Sequence, residues 1–193
     1  MSNRQPLTEL AHQGWLPFLR EGGWAIDATA GNGFDTAFLA DKVGPDGKVY
    51  AIDVQSCALE ATRRRLEQAG QLRQVSLIQT DHARMRDCLA CGAWANVDLI
   101  CFNLGYLPNG DHEVITSPGS TLLALHEALL LLKPEGALSV IAYRGHPGAL
   151  EEATAVERFF LNLPKPWRCL EHLETGTPDN PGPVWWLASA KDA

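Results

Sequence analysis

The sequence predicts an α/β domain in which helices cover both faces of a mostly parallel sheet. Apolar runs of strand length alternate with longer amphipathic segments from residue 24 to residue 161, as in repeated strand–helix units. A glycine turn at residues 31–33 separates the first apolar run from its helix. The last two apolar runs, 167–173 and 184–190, have no helix between them. They predict an antiparallel hairpin, so that the sheet has seven strands.

The first half of the chain opens with a predicted helix at 6–20, where apolar side chains recur at roughly helical spacing. This helix belongs to an N-terminal extension, 1–22, of a single domain that covers 1–193. Three strands follow, at 24–28, 48–53 and 75–79. Helices at 34–42 and 56–69 connect these strands, and glycine-containing turns end both helices.

The second half continues the alternation. Residues 97–102 form an unbroken apolar run, which is typical of a parallel strand buried on both faces. Thr116 or Ser117 caps a helix that has Pro118 in its first turn and extends to residue 132. The turn at 133–136 is expected to stop this helix before a strand at 137–143, and a further helix is predicted at 148–161.

Composition and charge restrict the class of protein. The chain has 193 residues, of which 46% are hydrophobic, and no apolar run reaches the length needed to span a membrane. No signal-peptide pattern is present at the start, so a cytoplasmic location without a membrane partner is expected. The net charge of −7 argues against a generic nucleic-acid binder, although a local basic patch is not excluded. The three arginines at 63–65 are more typical of a solvated helix face.

The five cysteines do not predict a metal site. Cys88 and Cys91 form one C-x-x-C pair, whereas a zinc ribbon needs a second pair. The pair also lacks the position that a thioredoxin-like motif requires at the start of a helix after the first strand. We therefore expect free thiols and no bound metal.

The loop after the first strand predicts the cofactor. A dinucleotide fingerprint needs a third glycine where this chain has Thr36. Asp27 precedes the loop and Asp35 lies in the first helical turn, so carboxylates would repel a pyrophosphate. They suit a sulfonium and an ammonium, which indicates S-adenosylmethionine. Asp53, at the end of the second strand, is placed to accept hydrogen bonds from both ribose hydroxyls.

Two residues after the third strand extend the predicted cofactor site. Asp81 is expected to hold the adenine amine, and the alternative is a helix N-cap. His82 could stack on adenine, and the alternative is a histidine that faces solvent. Both residues belong to the site because ligands of open α/β sheets bind at the carboxyl ends of the strands.

The segment after the fourth strand resembles the Asn-Pro-Pro-Tyr motif of amino-methyltransferases, with Asn103 and Tyr106 at its ends. The resemblance implies that the Asn103 oxygen accepts a hydrogen bond from the target amine and that the Tyr106 ring stacks on the substrate base. Leu104 and Gly105 replace the two prolines. The alternative is a turn with a core tyrosine.

Two further polar residues are candidates near the methyl-transfer site. Asp111 could hold or deprotonate an amine, and its alternative is ordinary loop polarity. His146 follows the fifth strand and could act as a base or contact a phosphate. It could equally belong to the cap of the next helix.

The order of elements is similar to that of Rossmann-like class I methyltransferases, and the turn at 132–137 resembles the one before their fifth strand. The runs 27–36, 103–111 and 143–146 together resemble one bacterial family of tRNA 5-aminomethyl-2-thiouridine methyltransferases, the MnmM type, formerly labelled rRNA methylases. The resemblance implies S-adenosylmethionine-dependent methylation of the wobble-uridine aminomethyl group, with the tRNA anticodon stem-loop as partner. A homodimer or a local patch would have to supply positive charge.

The family resemblance also implies a set of cofactor contacts. Matching positions of this chain are Asn32, Asp35, Asp53, Gln55, Asp81 and His82, to which the loop residues Asp27, Gly31, Gly33 and Thr36 and the strand-end residue Asn103 are added. Three other functions stay open at this stage. They are methylation of another RNA or of a small amine, a dehydrogenase module, and a non-catalytic protein that binds S-adenosylmethionine.

Overall fold

The computed structural model describes residues 5–89, 91–105, 116–145, 147–177 and 180–190. Six α-helices lie within these residues: α1 Leu7–Trp15, α2 Phe34–Val43, α3 Ser56–Ala69, α4 Met85–Cys88, α5 Pro118–Leu131 and α6 Ala149–Leu161. Seven strands accompany them: β1 Trp24–Asp27, β2 Lys48–Asp53, β3 Val75–Gln79, β4 Val97–Leu104, β5 Leu132–Ala142, β6 Arg168–Thr177 and β7 Asn180–Ser189.

The strands form one sheet in the order β3-β2-β1-β4-β5-β7-β6. Pairs from β3 across to β5 are parallel, while β7 is antiparallel to both β5 and β6. The chain runs outward from β1 to β3 and then returns to the other side of β1 with β4. This reversal is the switch point at which open α/β sheets bind ligands. The predicted fold class, including the C-terminal hairpin, is confirmed.

Two apolar layers hold helices against opposite faces of the sheet. In β4, Leu99 and Cys101 face the layer that contains α1, α2 and α3, whereas Ile100 and Phe102 face α5 and α6. All four side chains are buried. A parallel central strand needs this two-sided cover, which explains the unbroken apolar run at 97–102.

The junction between α5 and β5 differs from the prediction. Residues 133–136, expected as a turn, already belong to β5, and Leu132 pairs with Val97 before the register shifts. The backbones come so close here that a Cβ on Gly136 would lie 2.9 Å from the carbonyl oxygen of Val97. Glycine is therefore needed at this point for the close approach of two strands. From the sequence alone, such a glycine cannot be told apart from a glycine in a turn.

The hairpin is also longer than predicted. The strands β6 and β7 extend to Thr177 and Asn180, so much of the expected Pro/Gly loop is strand. Register shifts between Cys169 and Glu171 and between Glu174 and Gly176 absorb the irregular residues, as bulges in edge strands commonly do. At the other end of the chain, α1 stops at Trp15 rather than at residue 20. No helix in the described part of the chain is long and apolar enough to cross a membrane.

Candidate active site

A cleft of about 680 Å³ lies over the carboxyl ends of the parallel strands. Its wall is built from the segments that follow β1, β2, β3, β4 and β5, together with α1 and the start of α5. Eight of the predicted site residues line it: Gly31, Asn32, Asp35, Asp53, Gln55, Asp81, His82 and Asn103. The topology thus brings together side chains that are up to 72 positions apart in the sequence, from Gly31 to Asn103.

The glycine loop after β1 is held against α3. The Thr62 hydroxyl donates to the Gly31 carbonyl at 3.1 Å, and Arg65 Nε donates to the Asn32 carbonyl at 2.8 Å. Gly33 has a φ of +76°, and a Cβ there would lie 2.8 Å from Thr62 Cα. Glycine is therefore required at this position both for its dihedral angle and for the close approach of α3.

Three of the predicted cofactor residues, Asp27, Gly33 and Thr36, do not line the cleft but lie behind its wall. Thr36 Oγ1 donates to Asp27 Oδ2 at 2.6 Å, and the Thr29 N–H donates to Asp27 Oδ1 at 3.2 Å. Burial, reinforced by the nearby Asp35 carboxylate, raises the pKa of Asp27 to about 7. Asp27 and Thr36 are hydrogen-bonded to each other inside the protein and do not face the cleft. They therefore support the conformation of the loop and do not contact the cleft directly.

Asp53 links the ends of β1 and β2. Its carboxylate accepts hydrogen bonds from the Gly31 N–H at 2.9 Å and from the Gln55 N–H at 2.8 Å. A carboxylate has about four acceptor sites, so each oxygen keeps capacity for a ligand in the cleft. The side chain is thereby fixed in place by backbone groups before any ligand arrives.

Asp81 and His82 differ in their exposure. Asp81 is 47% exposed, and its Oδ1 accepts from the Ala83 N–H at 2.8 Å, which is the N-cap contact considered for it from the sequence. His82 does not face solvent, since it is 7% exposed and meets the Phe102 ring edge-on. Burial lowers the pKa of His82, which keeps the imidazole neutral near neutral pH.

A series of contacts between polar side chains runs across the cleft from α1 to β4. His12 Nε2 and Asp35 Oδ1 lie 2.6 Å apart, and Asp35 Oδ2 accepts a hydrogen bond from Asn103 Nδ2. The backbone N–H of Asn103 donates to Thr29 Oγ1 at 2.7 Å. Asn103 Oδ1 is buried and makes no hydrogen bond with any residue that the structure describes.

Three predicted catalytic residues, Tyr106, Asp111 and His146, lie outside the described residues. The structure does describe Gly105 and Thr116, the residues on either side of 106–115. The Thr116 N–H donates to the Gly105 carbonyl at 3.2 Å. Thr116 Oγ1 donates to Glu152 at 2.5 Å, and this buried carboxylate also accepts from Thr121 Oγ1 at 2.6 Å. Gly105 and Thr116 both line the cleft.

Sequence reasoning missed the part that α1 plays in the site. Thr8, Glu9 and His12 line the cleft on one side of this helix, while its apolar side is buried in the core. Thr8 and Glu9 precede His12 by four and three positions, which puts His12 on the same helical face as both. That spacing was a usable signal, but nothing in the sequence places this face next to Asp35. Thr29 and Tyr143 were also missed on the cleft wall.

The sheet order, the glycine loop and the carboxylate at the end of β2 define a class I methyltransferase, a class whose methyl donor is S-adenosylmethionine. The family model described as "Putative rRNA methylase" matches residues 49–187. The chain therefore belongs to this family.

A curated relative from Arabidopsis thaliana is the "tRNA (mnm(5)s(2)U34)-methyltransferase, chloroplastic". It is 41% identical over 175 residues, which cover 86% of this chain and 63% of the plant protein. The chain thus spans less than two thirds of the length of that relative.

Two solved structures are similar over nearly the whole chain. A "putative rRNA-methylase" from Clostridium thermocellum is 32% identical with a TM-score of 0.86, covering 96% of this chain and 97% of that one. A "putative methyltransferase" from Streptococcus mutans, in complex with SAH, is 33% identical with a TM-score of 0.82. That match covers 95% of this chain and 97% of the other.

Proposed function

We propose that this protein methylates the 5-aminomethyl group of the wobble 2-thiouridine in tRNA and produces 5-methylaminomethyl-2-thiouridine. The observation that carries the proposal is the Asn103 Oδ1 acceptor, which is buried at the cleft wall and lacks a partner among the described residues. This oxygen supports a substrate whose methyl-accepting group can donate an N–H hydrogen bond to it. The 41% identity to a plant protein named for this tRNA position supports the choice of nucleoside.

The residues present fit S-adenosylmethionine. A cleft of about 680 Å³ is within the usual size of a cofactor site, and Asp53 offers acceptor capacity for two ribose hydroxyls. We assign Gln55, Asp81 and His82 to the ribose and adenine side of the same cleft. When bound, the cofactor supplies a methyl group on a positively charged sulfur.

The methionine end of the cofactor is assigned to the segment after β1. Gly31 and Asn32 present loop backbone to the cleft, and Asp35 presents a carboxylate that suits an ammonium group. Asp27, Gly33 and Thr36 act indirectly, since they hold the shape of this loop. Asp35 also contacts Asn103, so the cofactor and acceptor sides of the cleft meet at this carboxylate.

The acceptor amine is assigned to the β4 side. Asn103 Oδ1 accepts one N–H of the amine, which restricts the directions in which the nitrogen lone pair can point. Tyr106 remains our choice for stacking on the uracil ring. Asp111 and His146 remain candidates for holding the amine or for removing its proton.

The anticodon stem-loop and a homodimer remain part of the proposal as partners. Of the three arginines at 63–65, Arg64 pairs with Glu60 at 2.9 Å and Arg65 lies 3.5 Å over the Phe34 ring while it braces the glycine loop. Of these contacts only that of Arg64 pairs an arginine with a carboxylate, and both side chains of the pair are exposed. Because the net charge is −7, we propose that a local basic patch or a second subunit supplies the positive charge for RNA.

The direct test combines two measurements. Purified protein, S-adenosylmethionine and tRNA carrying the 5-aminomethyl group should yield one added methyl on the wobble nucleoside by mass spectrometry. tRNA from a deletion strain should accumulate the 5-aminomethyl nucleoside. Methylation of ribosomal RNA or of a free amine, with the wobble nucleoside unchanged in both measurements, would contradict the proposal.

The pH and metal dependence test the chemistry. An alkyl ammonium has no lone pair, so the rate should rise with pH through the pKa of the bound amine. The predicted reaction needs no metal, and EDTA should leave the rate unchanged. A loss of activity on chelation that zinc restores would point instead to a role for Cys88 and Cys91.

A further inference from the structure

We propose that His12 and Asp35 are positioning residues that fix the orientation of the Asn103 side-chain amide. His12 Nε2 lies 2.6 Å from Asp35 Oδ1, and the other oxygen of the same carboxylate accepts from Asn103 Nδ2. The identity of the acceptor rests on the proposed function, but the chain of contacts does not. The N-terminal helix α1 thereby has a part in the reaction.

The orientation follows from the chemistry of the three groups. An ionised carboxylate can only accept hydrogen bonds, so His12 has to donate from Nε2 and Asn103 has to present its NH₂ group. The opposite orientation of Asn103 would bring its carbonyl oxygen against a carboxylate oxygen. Asp35 thus turns the Asn103 oxygen away from itself, while the hydrogen bond from the Asn103 backbone to Thr29 Oγ1 fixes the main chain.

His12 is itself held rigidly. Its ring stacks on Phe38 with centroids 3.9 Å apart and an angle of 15° between the planes, and Trp15 lies 4.8 Å away. The helix that carries it is anchored by the buried side chains of Ala11 and Trp15. Because Nε2 is held by packing, Asp35 receives a donor in a constant position. Without that donor, the carboxylate could turn and release the amide of Asn103.

The consequence is a side-chain oxygen that is buried and has no hydrogen-bond partner among the described residues. A buried acceptor without a hydrogen bond has lost its hydration without compensation, and such atoms in native structures call for a ligand or a functional explanation. Asn103 Oδ1 can accept but cannot donate. A primary amine can donate one N–H to this oxygen and still direct its lone pair towards the methyl group. The contacts among His12, Asp35 and Asn103 therefore favour a methyl-accepting group that carries an N–H.

The test uses matched substitutions of His12. His12→Phe keeps an aromatic ring for stacking on Phe38 but removes the donor to Asp35, whereas His12→Gln places an amide N–H near the position of Nε2. We expect His12→Phe to lower kcat by about tenfold to a hundredfold, as for a misplacement within the reacting geometry. Both variants are compared at saturating S-adenosylmethionine, since Asp35 is also assigned to the ammonium group of the cofactor, and His12→Gln should recover most of the rate.

A double-mutant cycle separates positioning from general damage. If His12 acts through Asn103, then His12→Phe should cause no further loss of kcat when Asn103→Ala is already present. Full additivity of the two losses would overturn the inference, because it would mean that His12 contributes independently of Asn103. Failure of His12→Gln to recover the rate would count against it as well.

A measurement that does not depend on turnover keeps the inference apart from the proposed function. In protein labelled with ¹⁵N-asparagine, the Asn103 side-chain signal is identified by its loss in Asn103→Ala. This signal should shift in His12→Phe and return towards its original position in His12→Gln. If the wild-type protein fails to methylate the tRNA, the proposed function falls while this result still decides the inference. An Asn103 signal that is unchanged in His12→Phe would refute it.

Discussion

Replacement of Asp27 by asparagine is expected to change how the stability of this protein depends on pH. Asp27 is fully buried behind the glycine loop and lies close enough to Asp35 to feel its charge. Asparagine keeps the size of the side chain. Its oxygen can still accept from the Thr29 N–H, and its NH₂ can donate to the Thr36 hydroxyl. The substitution therefore removes the titration with little loss of packing.

The sign and size of the effect follow from the pKa. Burial raises the pKa of Asp27 from 3.8 to about 7, so the folded protein binds a proton that the unfolded chain has already lost. The resulting stability is fully present below pH 3.8 and is lost as the pH rises through about 7. That interval corresponds to about 4 kcal/mol in total, of which about 2–3 kcal/mol falls between about pH 5 and about pH 8.

Urea unfolding of the wild type and of Asp27→Asn at several pH values measures this term. His82 contributes with the opposite sign, because its lowered pKa makes stability fall as the pH drops below 6.5. Taking the difference between the two proteins cancels this contribution, since both contain His82. Asp41→Asn, at a side chain that is 61% exposed, serves as the control for the loss of one carboxylate at the surface. Parallel stability curves for wild type and Asp27→Asn would refute the reasoning.

Three further substitutions test other parts of the site. Asp53→Ala should weaken S-adenosylmethionine binding by about tenfold to a hundredfold by calorimetry, and an unchanged affinity would exclude the ribose role. Gly33→Ala should lower the free energy of unfolding in urea by about 1–3 kcal/mol more than Gly22→Ala does. Both glycines have a positive φ, but a Cβ at Gly33 would lie 2.8 Å from Thr62 Cα, whereas a Cβ at Gly22 meets nothing within 4 Å. Equal losses would remove the steric argument. Glu152→Ala leaves two threonine hydroxyls without their acceptor and should cost about 2–3 kcal/mol, most of which Glu152→Gln should restore; equal unfolding midpoints for the two variants would contradict this.

The fold was predictable from local patterns. Periodicity, glycine turns and the apolar run at 97–102 identify the alternating strands and helices, and the missing helix before β7 identifies the hairpin. The wrong predictions about β5 and β6 concern glycines, because glycine occurs both in turns and in strands whose backbones approach closely. Gly136 and Gly176 resemble turn residues, yet both lie in strands where two backbones approach closely.

The candidate site was predictable only in part. Strand ends can be read from the sequence, and rules for parallel sheets bring them to one edge, which explains why Asp53, Asp81 and Asn103 all line the cleft. Which side chains face the cleft is a different question. Asp27 and Asp35 belong to one short motif, yet the first points into the protein and the second lines the cleft.

By itself, therefore, the sequence determined the order of the elements, the switch point at β1 and the residue types available at each strand end, because these depend on spacing along the chain. Only the tertiary structure decided that α1 packs beside α2 and brings His12 to Asp35. It also decided that the amide of Asn103 turns its oxygen away from that carboxylate. Such contacts join residues 23 and 68 positions apart, and they arise from the packing of helices on a common sheet face, which no local pattern encodes.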